Sequence, residues 1–207
     1  MKDTAAQIRL PTEARQVEIA AAALRLAGEI SPALITTGQI AEAVGISQGA
    51  VFRHFETKDA IWHAAMVWVR TQLLGAMQAA AQAEALPTPA LRAVFMAHVG
   101  FVAAHPGVPR FMFHEMQSPK DSPVKREVRT LLAAYRALLM ALLDAAGRRG
   151  DLRAGVDPDA AATLFVGAVQ GLIMQSMASG GAQVLTTQTD AVATILLQGI
   201  CRDRRAA

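Results

Sequence analysis

The segment from Thr36 to Trp62 has the residue pattern of two short helices separated by a glycine turn. Thr36 can cap a helix through its hydroxyl, and Gln39 can reach back to the N–H of the cap, which together make a capping box. Gly45 stands where the first helix has to end, because glycine adopts the left-handed conformation that closes a helix. Ser47 can cap the second helix. The pattern predicts a helix-turn-helix.

The second of these helices begins with side chains that suit contact with DNA bases. Gln48, Gly49 and Ala50 are small or able to form hydrogen bonds, so the end of the helix can enter a major groove. After that helix, Thr57 can cap another, and Lys58 lies in its first turn. A cation there is unfavourable against the helix dipole unless a phosphate binds the same N–H groups. We therefore expect Lys58 to contact the DNA backbone.

The run through Thr36, Ser47, Gly49, Phe52, His54, Phe55, Lys58 and Ile61 resembles the DNA-binding segment of the TetR family (TetR/AcrR type), and the resemblance covers residues 15–65, with two departures. Phe52 stands where a tyrosine is usual, so it can lie against a sugar but cannot donate a hydroxyl to a phosphate. Where a glycine commonly ends the first helix, we expect Pro32, preceded by Ser31, to end it. The DNA-binding residues that the motif and the resemblance imply are Thr36, Thr37, Ser47, Gln48, Gly49, Ala50, Phe52, Arg53, His54 and Lys58.

Charge alone does not predict DNA binding here. The net charge is +3, yet residues 1–60 contain six Lys and Arg against seven Asp and Glu. What matters for phosphate attraction is the face on which cations lie, and Arg53, His54 and Lys58 cluster after the recognition helix. A solvated surface is the alternative explanation of this cluster.

Beyond this segment the sequence predicts an all-α fold of about nine helices. Alanine and leucine dominate, and most prolines and glycines fall between apolar runs. We expect a three-helix DNA-binding domain over residues 1–58, joined by a long helix to a ligand-binding and dimerisation bundle over residues 59–207, an order that the resemblance also implies. Expected boundaries include a first helix from Thr12 to about Gly28, a fourth from Lys58 to about Ala85, a fifth starting at Thr88 and Pro89, and a ninth from Asp190 to Arg202.

The eighth predicted helix, between Asp157 and Ala178, is apolar on more than one face and carries Gly167 and Gly171 four residues apart. A helix of this kind is buried, either in its own bundle or against a partner, and the sequence leaves both open. The resemblance implies a homodimer formed through the last two helices.

The larger half contains many flexible and aromatic side chains that could surround a small apolar effector. Ordinary core filling explains each of them equally well, so we treat them as a region. These residues are Met96, Phe101, Phe111, Met112, Phe113, Met116, Tyr135 and Met174.

Catalysis, metal binding and a cofactor are not predicted. No glutamate is followed by a histidine three residues later, HExxH is absent, and Cys201 has no nearby histidine to activate it. The opening residues MKDTAAQIRLPTEAR contain no apolar core of signal-peptide length, so we expect no signal peptide. The longest apolar run, Ala160 to Met174, is interrupted by Gln170. We judge this run too short for a bilayer and expect a cytoplasmic protein without membrane contact.

These features lead us to predict a homodimeric transcriptional regulator, a repressor that occupies an inverted-repeat operator in double-stranded DNA until a small apolar effector binds. The alternative is a helical interaction module that binds proteins and not DNA. Only the regulator should shift a DNA duplex, with an affinity that falls as the salt concentration rises.

Overall fold

A computed structural model of the chain describes residues 12–179 and 183–202. Apart from one isolated bridge between Leu152 and Cys201, these residues form helices and connecting turns. The all-α fold is therefore confirmed. The nine helices within the described ranges are α1 (Thr12–Ala27), α2 (Thr37–Val44), α3 (Gln48–Phe52), α4 (Lys58–Gln82), α5 (Pro87–Ala104), α6 (Gly107–Gln117), α7 (Pro123–Arg148), α8 (Pro158–Ser179) and α9 (Gln183–Ile200).

The caps predicted for the helix-turn-helix are all present. The Thr36 hydroxyl accepts a hydrogen bond from the backbone N–H of Gln39 at 3.2 Å, and the Gln39 side chain accepts one from the Thr36 N–H at 2.8 Å. Gly45 closes α2 in the left-handed region with φ 75°. Ser47 and Thr57 cap α3 and α4 through their side chains. Short-range hydrogen bonds thus set the ends of α2 and the starts of α3 and α4.

Several predicted boundaries were wrong. Helix α1 ends at Ala27, close to the predicted Gly28, so Pro32, which lies buried in the turn before α2, does not end it. Helix α4 ends at Gln82, three residues before the predicted Ala85. Helix α5 starts at Pro87 and not at Pro89, because neither proline disrupts a first turn whose N–H groups have no acceptor within the helix. Helix α9 begins at Gln183, seven residues before Asp190, and it packs along α8 and α5.

Helix α4 connects the two halves of the molecule. It packs against α1 on the side of the helix-turn-helix and against α5 and α7 in the larger bundle. Near its start, Trp62 stacks on Phe111 of α6 with ring centroids 4.5 Å apart. Buried apolar residues form one continuous core from α1 to the end of α9 among the described residues.

Two helices of the larger bundle are more apolar than expected. By length and composition alone, α7 and α8 could each cross a membrane, and so could α5 and α6 if their 90° bend is counted within one span. Helix α8 runs for 22 residues, so the expectation that its apolar run is too short for a bilayer was wrong. Both helices pack within the bundle, but α8 leaves Leu164 and Met174 exposed. Packing among the described residues therefore leaves one apolar side of α8 uncovered.

Candidate DNA-binding surface and effector cavity

Helix α3 is held in place by one buried side chain and leaves the rest of its surface open. Val51 is fully buried, whereas Phe52 is 47% exposed and Gln48 and Gly49 are also exposed. Ala50 is half-buried. The exposed or half-exposed residues Thr36, Thr37, Ser47, Gln48, Gly49, Phe52 and Arg53 form what we call the recognition face.

A hydrogen bond joins the two helices of the recognition face. Gln48 Nε2 donates to Thr37 Oγ1 at 2.8 Å, which links the first turn of α3 to the first turn of α2. The bond restricts the rotamers of Gln48 while the other amide hydrogen and the amide oxygen stay available. A glutamine held in this way loses less rotamer freedom when it meets a base.

The three cationic side chains expected near the DNA are not equivalent. Arg53 is exposed, and Lys58 is half-buried with its Nζ 3.4 Å from the backbone oxygen of Ala33. His54 is also half-buried, and its Nδ1 is buried without a hydrogen-bond partner among the described residues. Its backbone oxygen accepts a hydrogen bond from Gln16 of α1 at 3.0 Å. His54 therefore faces partly into the domain.

A cavity of about 200 Å³ lies within the larger bundle. Four of the residues predicted from the sequence, Met112, Phe113, Met116 and Tyr135, line it. Met116, Leu132 and Gln170 are exposed as well as lining, so they mark its mouth. The full lining comes from α4 to α8 and consists of Leu73, His98, Val102, Val108, Pro109, Met112, Phe113, Met116, Val128, Leu131, Leu132, Tyr135, Val166, Gln170 and Ile173.

The other four residues of the predicted region lie outside this cavity. Met96 and Met174 are on the surface, with 39% and 49% of their area exposed. Phe101 packs beside Trp68 and His105, and Phe111 is buried under Trp62. Burial against α4 accounts for the two phenylalanines, so they are core residues here.

One polar pair lies inside the cavity wall. The Tyr135 hydroxyl is 3.2 Å from Nδ1 of His98, across the contact between α7 and α5. Burial lowers the pKa of His98 from 6.5 to about 4 and raises the pKa of Tyr135, so both are neutral near pH 7. His98 was not among the residues predicted to surround the effector. The sequence signal for it is its position four residues after Val94 and four before Val102, on the buried side of α5.

Comparison with known proteins gives the family. Residues 19–65 match "Bacterial regulatory proteins, tetR family", and residues 114–192 match "Tetracyclin repressor-like, C-terminal domain". Together the matches cover more than half of the chain and include the recognition helix. The chain belongs to the TetR family. It is a transcriptional regulator with a helix-turn-helix DNA-binding domain and a ligand-binding domain, and it is not an enzyme.

Solved structures share this TetR-family fold at low sequence identity. FadR from Bacillus subtilis, solved in complex with stearoyl-CoA, is 18% identical, with 89% of this chain and 98% of that chain covered and a TM-score of 0.76. The ketosteroid transcriptional regulator KstR2 of Mycobacterium tuberculosis is 19% identical, with 96% and 99% covered and a TM-score of 0.71. The nucleoid occlusion factor SlmA of Actinobacillus pleuropneumoniae is 28% identical over 94 residues, which are 45% of this chain and 46% of that protein. This match spans less than half the length of SlmA.

In this TetR-family chain, α6 connects the cavity wall to the DNA-binding domain. An ideal Cβ built on Gly107, the first residue of α6, would lie 1.8 Å from the backbone oxygen of Leu24 and 2.8 Å from the nitrogen of Gly28. The backbones of α6 and α1 are therefore in direct contact. Val108, Pro109, Met112, Phe113 and Met116 of the same helix line the cavity, so α6 is in contact with both the cavity and the end of α1.

Acidification is expected to destabilise the fold through His98. Above about pH 7 both the folded and the unfolded states hold this histidine neutral, but below its unfolded pKa of 6.5 only the unfolded state takes up the proton. Stability is therefore lost as the pH falls from 6.5 towards 4, by about 2 kcal/mol at pH 5. Urea unfolding at pH 7.5 and at pH 5 measures this loss.

The matched variant is His98→Gln, which cannot titrate but keeps a side chain able to bond to Tyr135. Its stability should fall by about 2 kcal/mol less than that of the wild type between the two pH values. His114→Gln, on the exposed side of α6, serves as the control. If the free energy of unfolding depended on pH equally in the wild type and in His98→Gln, the loss of stability could not be assigned to His98.

Proposed function

We propose that the chain is a homodimeric repressor that binds an inverted-repeat operator through the recognition face until an apolar effector enters the cavity. The observation that carries the proposal is the path through α6, which lines the cavity and contacts α1 at Gly107. In this proposal residues 1–58 bind DNA, residues 59–207 bind the effector and the second subunit, and the protein acts in the cytoplasm.

On the recognition face, Gln48 contacts base edges and Thr37 orients it. Gly49 and Ala50 have no large side chains, so the α3 backbone can approach the groove closely. Arg53 and Lys58 contact phosphates, with Lys58 exchanging or sharing its bond to the Ala33 oxygen. The remaining assigned residues have supporting roles: Phe52 lies against a sugar, Thr36 and Ser47 hold the helix starts, and His54 stabilises the domain.

The second subunit covers the exposed side of α8 and α9. Leu164 and Met174 are 58% and 49% exposed, and between them Gly167 and Gly171 have open space where a Cβ would be. These four positions recur at intervals of three and four residues and so form one stripe along α8. Ile195 of α9 is 71% exposed. An apolar stripe with glycines is well suited to close helix packing, and in a two-fold dimer the same stripe meets itself.

Leu164→Glu is expected to convert the dimer into monomers. A carboxylate forced into the apolar contact loses its hydration, which should weaken association by at least about 100-fold. Operator affinity should fall in parallel, because two half-sites are no longer bound by one molecule. Sedimentation velocity and duplex binding measure the two effects.

Leu86→Glu is the control, since Leu86 is exposed but lies at the start of α5 and outside the stripe. A wild-type protein that is monomeric at micromolar concentration would overturn the proposed dimer. Wild-type protein that instead cosediments with lipid vesicles would assign the stripe to a membrane.

Selection of bound fragments from random duplex DNA tests the whole proposal. An inverted repeat should emerge, and its affinity should fall as the salt concentration rises. An effector that occupies the cavity should weaken operator binding by about 5 to 150-fold, which corresponds to a coupling of about 1 to 3 kcal/mol. A protein that retains no duplex at low salt would contradict the repressor and favour the helical interaction module.

A further inference from the structure

The effector cavity is apolar and uncharged over its described lining. Among those residues there is no lysine, arginine, aspartate or glutamate, and the polar side chains are His98, Tyr135 and Gln170. The charged residues of α6, Arg110 and Glu115, are not part of the lining, and Glu115 accepts a hydrogen bond from Ser122 at 2.5 Å. A charged ligand group would therefore lose water here without gaining a counter-ion, which is strongly unfavourable.

The His98–Tyr135 pair limits which polar group can bind. In one tautomer the tyrosine hydroxyl donates to Nδ1 of His98, which leaves an N–H donor on Nε2 and an acceptor on the hydroxyl oxygen. In the other, Nδ1 donates to the hydroxyl oxygen, which leaves an O–H donor and an Nε2 acceptor. In both tautomers the pair therefore has one hydrogen-bond donor and one acceptor available for a ligand. Tyr135 is the only partner that the described residues give His98.

A hydroxyl or a primary amide matches this pair because each both donates and accepts hydrogen bonds. A carboxylate only accepts, and an ammonium group only donates, so each would leave half of the pair unsatisfied. We propose that the effector is an uncharged, largely apolar molecule whose single hydroxyl or amide group binds the His98–Tyr135 pair. This inference rests on the proposed effector function of the cavity. The apolar part of the molecule lies along Met112, Val166 and Ile173, towards the mouth at Met116.

Three probes that share one octyl chain separate charge from hydrophobicity: 1-octanol, octanoate and octylamine. Calorimetric titration of the full-length protein at pH 8, where the acid and the amine are ionised, should give an affinity for octanol at least about 10-fold above that for either ion. Tyr135→Phe keeps the ring and removes the hydroxyl, and it should lower octanol affinity by about 2 to 10-fold. Thr71→Val is the control, because it removes a hydroxyl from an exposed position of α4 outside the cavity lining, and it should change octanol affinity by less than about twofold.

Octanoate or octylamine binding as tightly as octanol would overturn the inference, as would unchanged octanol affinity in Tyr135→Phe or no binding of octanol at all. Operator release distinguishes this failure from failure of the proposed function. An ion that occupies the cavity and releases operator DNA contradicts only the class of ligand. Octanol that binds through Tyr135 but leaves operator affinity unchanged contradicts only the repressor mechanism.

Discussion

Gly107→Ala is expected to destabilise the protein more than any other single methyl group added to a described glycine. The new Cβ would lie 1.8 Å from the Leu24 oxygen and 2.8 Å from the Gly28 nitrogen, and both are backbone atoms that no rotamer change can move. Relief requires α6 to separate from α1, with a loss of about 3 kcal/mol or more from the free energy of unfolding. Urea unfolding followed by circular dichroism measures this loss.

Gly100→Ala is the matched control, because Gly100 lies within α5 and has open space around its Cβ position. That variant should be stabilised by about 0.5 to 1 kcal/mol, the usual gain of alanine over glycine inside a helix. If Gly107→Ala unfolds at the wild-type urea concentration, α6 and α1 are not in the close contact that the structure shows. In a variant that remains folded, weakened coupling between effector and operator would further support the path through α6.

Gln48→Ala is expected to produce the largest loss of operator discrimination. A glutamine that makes two hydrogen bonds to a base contributes about 1 to 3 kcal/mol of selectivity, and a dimer uses two such residues. Affinity for the selected operator should therefore fall by at least about 30-fold, while affinity for unrelated duplex changes little. Competition binding with the operator and with shuffled duplex measures both quantities.

Two comparison variants are needed to interpret the loss of operator affinity in Gln48→Ala. Lys58→Ala removes a phosphate contact, so it should weaken binding to all duplexes similarly. It should also reduce the slope of log affinity against log salt concentration by about one per half-site. Gln78→Ala makes the same change on an exposed part of α4, where no DNA contact is expected. Unchanged operator affinity in both Gln48→Ala and Lys58→Ala would show that DNA binds elsewhere.

The helix-turn-helix could be predicted almost residue by residue because local interactions specify it. The bonds between Thr36 and Gln39 span three residues, and the bond from the Ala50 N–H to the Ser47 hydroxyl also spans three. The left-handed turn at Gly45 depends on the absence of a side chain at that one position. None of these features depends on distant parts of the chain.

The effector cavity could be predicted only as a region. Phe111 and Met112 are adjacent in the sequence, yet Phe111 is buried under Trp62 and Met112 lines the cavity. Both side chains are large and apolar, so the sequence does not distinguish them. Only the orientation of α6 relative to α4 and α7 places them in different surroundings. His98 and Tyr135 are 37 residues apart, and nothing in the sequence indicates that they meet.

The sequence by itself determined the helical fold, the recognition helix and the residues that end and begin the short helices, because propensity, capping and turn conformation act over a few residues. Only the tertiary structure decided that α6 lies backbone to backbone on α1, that His98 is a neutral partner of Tyr135, and that one stripe of α8 stays uncovered. Those properties arise from packing between helices far apart in the chain, where a residue's environment depends on which neighbours fill the space around it.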